Sequence, residues 1–395
     1  MSDQILLGTR KGTLILDRKN GRWTPRPIQH PGISVSYAAR DPRDGTIWAA
    51  MDHAHWGPKL ARSKDDGATW ENLSQLAYPK GARFVAQHLP SPTDDPASMA
   101  QKPLEYKDAS LLKVWVLAFG GKDEPGVIHA GTLPGGLFTS RDGGDTWELN
   151  LPLWNHPSRG GDLFAGPATS RNEWGGTPAA MAYGEFVPGI HSIVVDPRDA
   201  KRMWVAVSCA GVAETRDGGK SWRSANRGML NDYLPNPEVE WGHDPHFITQ
   251  SPSDPDRLWQ QNHSGVFTSA DGAERWKRVS KNDVNVHFGF PIAVDDRDGN
   301  TAWVVPAKAD SERMSIEGGL FVARTRDGGE SWEPLREGLP QKDTYDVVYR
   351  HALDARNGRV CFGSTTGNVY VSENNGDSWL CVGSNLPPVH SVRFG

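Results

Sequence analysis

The chain has 395 residues, with 43 Lys and Arg against 48 Asp and Glu, a formal net charge of -5 and a sequence pI near 6.2. No basic run occurs, so a general attraction to nucleic acid or to an anionic membrane surface is excluded from expectation. Three scattered cysteines, Cys209, Cys361 and Cys381, form neither a disulfide framework nor a Cys-x-x-Cys metal knuckle, and MSDQILLGTRKGTLIL lacks a signal layout; a cytoplasmic protein is expected.

Read in chain order, the first segments are QILLGT, GTLILD and RWTPRP, three short β-branched or aromatic runs punctuated by Gly, Asn and Pro. Such runs recur to the end while 3.6-residue periodicity does not, which predicts an all-β fold. In the clearest unit HSIVVD (191–196) reads as an inner strand, RMWVAVS (202–208) as the second, GVAETR (211–216) as the third and KSWRSA (220–225) as the outer. The N-terminus supplies only the last three strands of such a unit. VHSVRF (389–394) at the other end supplies the missing inner one, which predicts a ring of seven four-stranded blades, with the sheet edges removed, in a single domain over 1–395.

Six octets mark these units: SKDDGATW (63–70), SRDGGDTW (140–147), TRDGGKSW (215–222), SADGAERW (269–276), TRDGGESW (325–332) and SENNGDSW (372–379). DRKNGRW (17–23) reads as a decayed seventh copy. With one or two departures in each copy, an Asp is placed to accept backbone N–H groups, Gly to supply a positive φ, and Trp to bury its ring where the next strand starts. One fixed carboxylate per octet is too few for a calcium loop, so the octet is expected to be structural.

The scheme Ser/Thr-x-Asp-x-Gly-x-Ser/Thr-Trp resembles the Asp-box, or bacterial neuraminidase repeat, of sialidases, sortilin-type receptors and photosystem II assembly propellers. The resemblance implies a sialidase-like, glycosyl hydrolase-like β-propeller with the box in the turn between third and fourth strands, away from the ligand face. The early Phe/Tyr-Arg-Ile-Pro motif of sialidases has no counterpart, so no sialidase catalytic residue carries over.

Opposite the octets, the register gathers polar side chains at one channel mouth. His191, His246 and His390 occupy the same inner-strand position, and turns between second and third strands add Arg10, His53, His55, Cys209 and His263. Insertions at about 80–110, 150–189, 228–245 and 307–318 are expected on the same rim. They carry Trp154, His156, Glu173, Trp174 and Glu185, then Glu240, Trp241 and Asp244. Carboxylates beside indoles suit a carbohydrate or another polar, acidic small molecule. The expectation is an enzyme of hydrolase or lyase type, with His191, His246, His263, Glu240 and Asp244 as catalytic candidates. Arg10, His55, Trp154, His156, Glu173, Trp174, Glu185, Trp241 and His390 are the substrate-binding candidates, and a divalent metal could sit on His191, His246 and His263. The alternative is a ligand-binding or protein-assembly propeller without chemistry.

Overall fold

The computed structural model describes residues 3–53, 55–86, 105–159, 188–233 and 236–395. Seven four-stranded antiparallel sheets follow one another along the chain, the architecture of a seven-bladed β-propeller. Six are built from consecutive strands. The first takes Gln4–Thr9, Gly12–Lys19 and Arg22–Pro25 from the N-terminus and Val389–Phe394 from the other end. That closing strand runs antiparallel to Gln4–Thr9, with Ile5 opposite Phe394 and Gly8 opposite Ser391. Only glycine fits at Gly8, where a Cβ would lie 2.5 Å from Ser391 Oγ and 3.0 Å from the Val35 carbonyl oxygen.

The chain divides into two compact units, Met1–Gln75 with His246–Gly395, and Leu76–Pro245. The larger holds five of the sheets; the smaller holds two, together with a hairpin of Arg83–Ala86 and Glu105–Asp108. Second strands such as Met203–Val207 and Ala302–Pro306 are buried at every residue. They read as unbroken apolar runs because both faces of the sheet are covered. In the larger unit one core cluster joins Ile5, Leu7, Phe362, Val371, Val392 and Phe394, so the closing strand is part of the packing as well as of the ladder.

The octets occupy the turns between third and fourth strands, as their spacing predicts. In SRDGGDTW, Ser140 Oγ donates to Asp142 Oδ1 (2.8 Å) and accepts the Gly144 N–H (2.8 Å), while Asp142 takes the Thr146 N–H (2.9 Å) and hydroxyl (2.6 Å). Asp65, Asp217 and Asp327 repeat the pattern with Thr69, Ser221 and Ser331. Asn374 keeps it with the polarity of one bond reversed, its amide donating to Ser378 Oγ at 3.0 Å. The hydroxyl four residues on is the largest cause that holds Asp65, Asp142, Asp217 and Asp327 at a pKa of about 2, with the backbone N–H of the same residue adding to it.

Two consecutive left-handed residues make this turn, for example Gly328 and Gly329 at φ +72° and +92°. SADGAERW departs from the rule, because Ala273 takes the second position at φ +66°. DRKNGRW is a different structure. Asn20 and Gly21 (φ +51° and +76°) form a two-residue hairpin with Lys19 opposite Arg22, and Asp17 pairs instead with Arg26 at 2.7 Å. The segment is too short to hold the clasp, so the decayed-copy reading gives way to a plain reverse turn.

Folded-state carboxyls lowered to about 2 give stability that is full above the ordinary Asp value of about 3.9 and lost as pH falls towards 2. Urea midpoints measured between pH 5 and 2 should drop through that window and drop less in Asp142→Asn; a profile unchanged by that substitution would contradict the clasp. Gly329→Ala places a Cβ 2.6 Å from Val279 Cβ in a left-handed residue and should cost roughly 2–3 kcal/mol. Ala273→Gly relieves the same strain and should be neutral or stabilising by up to about 1 kcal/mol in the same melts.

Candidate functional site

Five inner strands carry a backbone irregularity at the end away from the octets. The pairing steps from Val35 to Tyr37, from Val114 to Val116, from Ile190 to Ser192 and from Ser391 to Val389, each time leaving one residue without a place in the ladder. The residues set aside are Ser36, Trp115, His191 and His390; in Gly289–Val294 the step passes over Phe290 and Pro291. A bulge bends the strand and re-aims the extra side chain. Residues at these irregularities meet their neighbours across adjacent sheets. His390 donates Nδ1–H to the Val35 carbonyl (3.1 Å), Trp115 and His191 meet edge to face at 5.6 Å, and His246 stacks on Phe290 at 4.8 Å.

In the larger unit a cleft of about 610 Å³ opens beside His390. Its walls include Arg10 and Lys11 from the first hairpin turn, Asp52, His53 and His55 from the end of Ile47–His53 and the turn after it, and Tyr349, Thr365 and His390. His53 Nδ1 accepts the backbone N–H groups of His55 (3.3 Å) and Trp56 (3.1 Å), which leaves Nε2 to carry the proton of the neutral ring. Those bonds hold the turn so that the Trp56 indole, 64% exposed, stands edge to face with His55 at 4.9 Å. Tyr349, 40% exposed, lies 6.4 Å from the His390 ring. Arg10, His55 and His390 are thus brought together, with His53, as the sequence suggests. Lys11, Asp52 and Tyr349 complete the wall without having been singled out, and Trp56 stands next to it against His55; the readable signal for Trp56 is a tryptophan in DHAHWG, outside any octet.

His246 and His263 form a second pair in this unit, 5.7 Å apart and framed by Phe288 and Phe290. His246 donates Nδ1–H to the Gly289 carbonyl at 2.6 Å, which makes Nε2 its acceptor nitrogen.

The remaining candidates lie in the smaller unit, and most have structural work there. His191 is fully buried against Trp115, with Ser192 Oγ 3.1 Å from Nδ1. Trp154, 1% exposed, packs between Tyr78 at 4.9 Å and the Arg159 guanidinium at 4.3 Å, so neither ring face is open to a sugar. Trp241, 7% exposed, is covered by His156 at 5.4 Å. His156 donates Nε2–H to the Trp222 carbonyl (3.2 Å) and accepts at Nδ1 from Ser158 (2.7 Å), and burial pushes its pKa down. Glu240 is exposed; its backbone carbonyl accepts from Ser224 and Asn226. Asp244 accepts the Cys209 N–H at 2.9 Å. Indoles and imidazoles placed in insertions on compositional grounds therefore serve largely to pack those insertions down. Glu173, Trp174 and Glu185 lie outside the described residues.

No family model matches the chain. An oligoxyloglucan-reducing end-specific xyloglucanase of Emericella nidulans is 26% identical in an alignment of 245 positions that covers 53% of this chain and 28% of that enzyme. The match thus spans under a third of the curated relative. Among solved structures, the GH74 enzyme of Niastella koreensis superposes with a TM-score of 0.58 at 16% identity, over 96% of this chain and 52% of that one. An ancestral GH74 enzyme gives 0.55 at 16%, over 88% and 38%. A putative 6-phosphogluconolactonase from Bacteroides uniformis gives 0.55 at 13%, with both chains fully covered. At these identities the structural likenesses concern the fold.

Truncating Trp154 to Ala should cost about 3–5 kcal/mol in urea denaturation, as for a large ring removed from a packed core. A cost under about 1 kcal/mol would show that the ring is not a core element.

Proposed function

We propose that the cleft of the larger unit binds an oligosaccharide and that the protein is a glycoside hydrolase-like propeller. The observation that carries this reading is Trp56, a largely exposed indole whose backbone N–H is held by His53 and whose ring meets that of His55, both residues of the polar cleft wall. A solvent-facing aromatic plane next to convergent donors and acceptors suits a pyranose, whose C–H face stacks while its hydroxyls take hydrogen bonds. The sequence relative, a xyloglucanase by name, supports a β-glucan oligosaccharide as the first substrate to try. The sialidase-like resemblance of the octets agrees with a sugar-acting propeller and supplies no catalytic residue.

Glycoside hydrolysis ordinarily uses two carboxyl groups on either side of the scissile bond. Asp52 is the carboxylate among the described cleft residues, and His53 beside it is the group able to pass a proton from Nε2. This pair is our assignment for acid–base work. A single carboxylate in the wall also favours a second reading, recognition of the sugar without cleavage. His246 and His263 offer two imidazoles, a partial ligand set for a divalent ion; we route no step through one.

Calorimetric titration with xyloglucan-derived oligosaccharides, alongside a reducing-end assay, tests the reading. Binding is expected, weakened roughly tenfold in Trp56→Ala by loss of the stacking plane, with new reducing ends released by the parent protein and not by Asp52→Asn. Binding without release selects the recognition reading. Affinity unchanged in Trp56→Ala places the ligand elsewhere.

A further inference from the structure

Arg10 and Lys11 form the tip of the turn between Gln4–Thr9 and Gly12–Lys19, and both line the cleft. Their backbone is tied on every side. Thr9 Oγ1 donates to the Gly12 carbonyl (2.7 Å) and accepts the Lys11 N–H (3.2 Å). The Arg10 N–H reaches the Pro388 carbonyl and the Gly32 N–H the Lys11 carbonyl, both at 2.9 Å. Gly12 itself stands at φ +145°, where a Cβ would lie 2.4 Å from the Gln29 carbonyl oxygen. Two cationic side chains therefore leave a rigid root towards one cavity.

Several other arginines of this unit are paired with carboxylates, among them Arg18 with Glu373, Arg26 with Asp17 and Asp66, Arg62 with Glu71, and Arg324 with Glu333 and Asp377. Arg10 and Lys11 make no ion pair among the described residues. The cleft wall holds these two cations and three imidazoles, His53, His55 and His390, against the single carboxylate of Asp52. A pocket with that balance lowers the energy of a bound negative charge, and a guanidinium and an ammonium on one turn can share its oxygens.

We propose that the ligand of this cleft carries an anionic group, the carboxylate of a uronic acid or the phosphate of a sugar ester, seated against Arg10 and Lys11. The inference rests on the reading of the cleft as a sugar site and narrows it from neutral glycans to acidic ones. Trp56 then takes the ring face and the turn takes the charge, so that the indole selects the sugar and the Arg10–Lys11 pair its anionic substituent.

The test is titration of the full chain with four probes: a neutral xyloglucan oligosaccharide, a glucuronate-containing oligosaccharide of matched length, a hexose 6-phosphate, and inorganic phosphate. The acidic sugars should bind at least about tenfold tighter than the neutral one near 50 mM salt, and the gap should shrink as salt screens the charges. Arg10→Ala and Lys11→Ala should each weaken acidic-sugar binding roughly tenfold, whereas Arg22→Ala, which removes the same charge from an exposed strand position, should not. The order of glucuronate and phosphate affinities assigns the anion. Neutral and acidic oligosaccharides binding equally, or indifference to both Arg10→Ala and Lys11→Ala, overturns the proposal while leaving the sugar reading in place. Arg10-dependent binding of inorganic phosphate without binding of any sugar upholds the anion site and ends the sugar reading.

Discussion

Six of the seven sheets are closed by a turn in which an Asp, or in one case Asn374, reaches four residues along its own chain. In the regular octet the Asp takes an N–H and a hydroxyl from one residue, and the first Ser or Thr ties the Asp to the second glycine. The turn is then closed by side chains and needs no neighbour to hold it. A short outer strand such as Arg223–Ser224, two residues long, has little ladder of its own. What brings it back along the third strand is the clasp and the tryptophan behind it, so a sheet can stay four strands wide with a minimal outer edge.

With one end of six sheets fixed in this way, irregularity collects at the other end of several inner strands. The steps in pairing at Ser36, Trp115, His191 and His390 turn one side chain per inner strand out of the ladder. A residue so released can pack on a neighbour or face a cavity, and the chain uses both options. His191 is buried against Trp115, whereas His390 is only half-buried and lines the cleft. Equivalent positions thus have unequal chemistry because the neighbouring side chains differ, not because the backbone does.

Architecture was legible in the residues because its causes are local. The octet is a pattern of offsets two and four, and the three-strand start with a lone strand at the end announces how the first sheet is completed. DRKNGRW misled because Asn-Gly makes a tight hairpin from two residues, and resemblance to a longer clasp does not survive a missing spacer. The site was legible in part. Histidine positions followed from strand alignment, so Arg10, His55 and His390 could be grouped. Which indoles face water could not be read, since Trp154 and Trp241 are covered by Tyr78, Arg159 and His156 through contacts set by packing rather than by spacing. Trp56 escaped notice for the converse reason: its exposure comes from a turn whose amides are capped by His53.

The strand Val389–Phe394 pairs with Gln4–Thr9 and shares a core cluster with it. During synthesis the first sheet therefore stays incomplete, with an open edge along Gln4–Thr9, until residues 389–394 have left the ribosome. Until then Gln4–Thr9 is an edge a chaperone would have to shield, and the join is a lock that only that distant strand can turn.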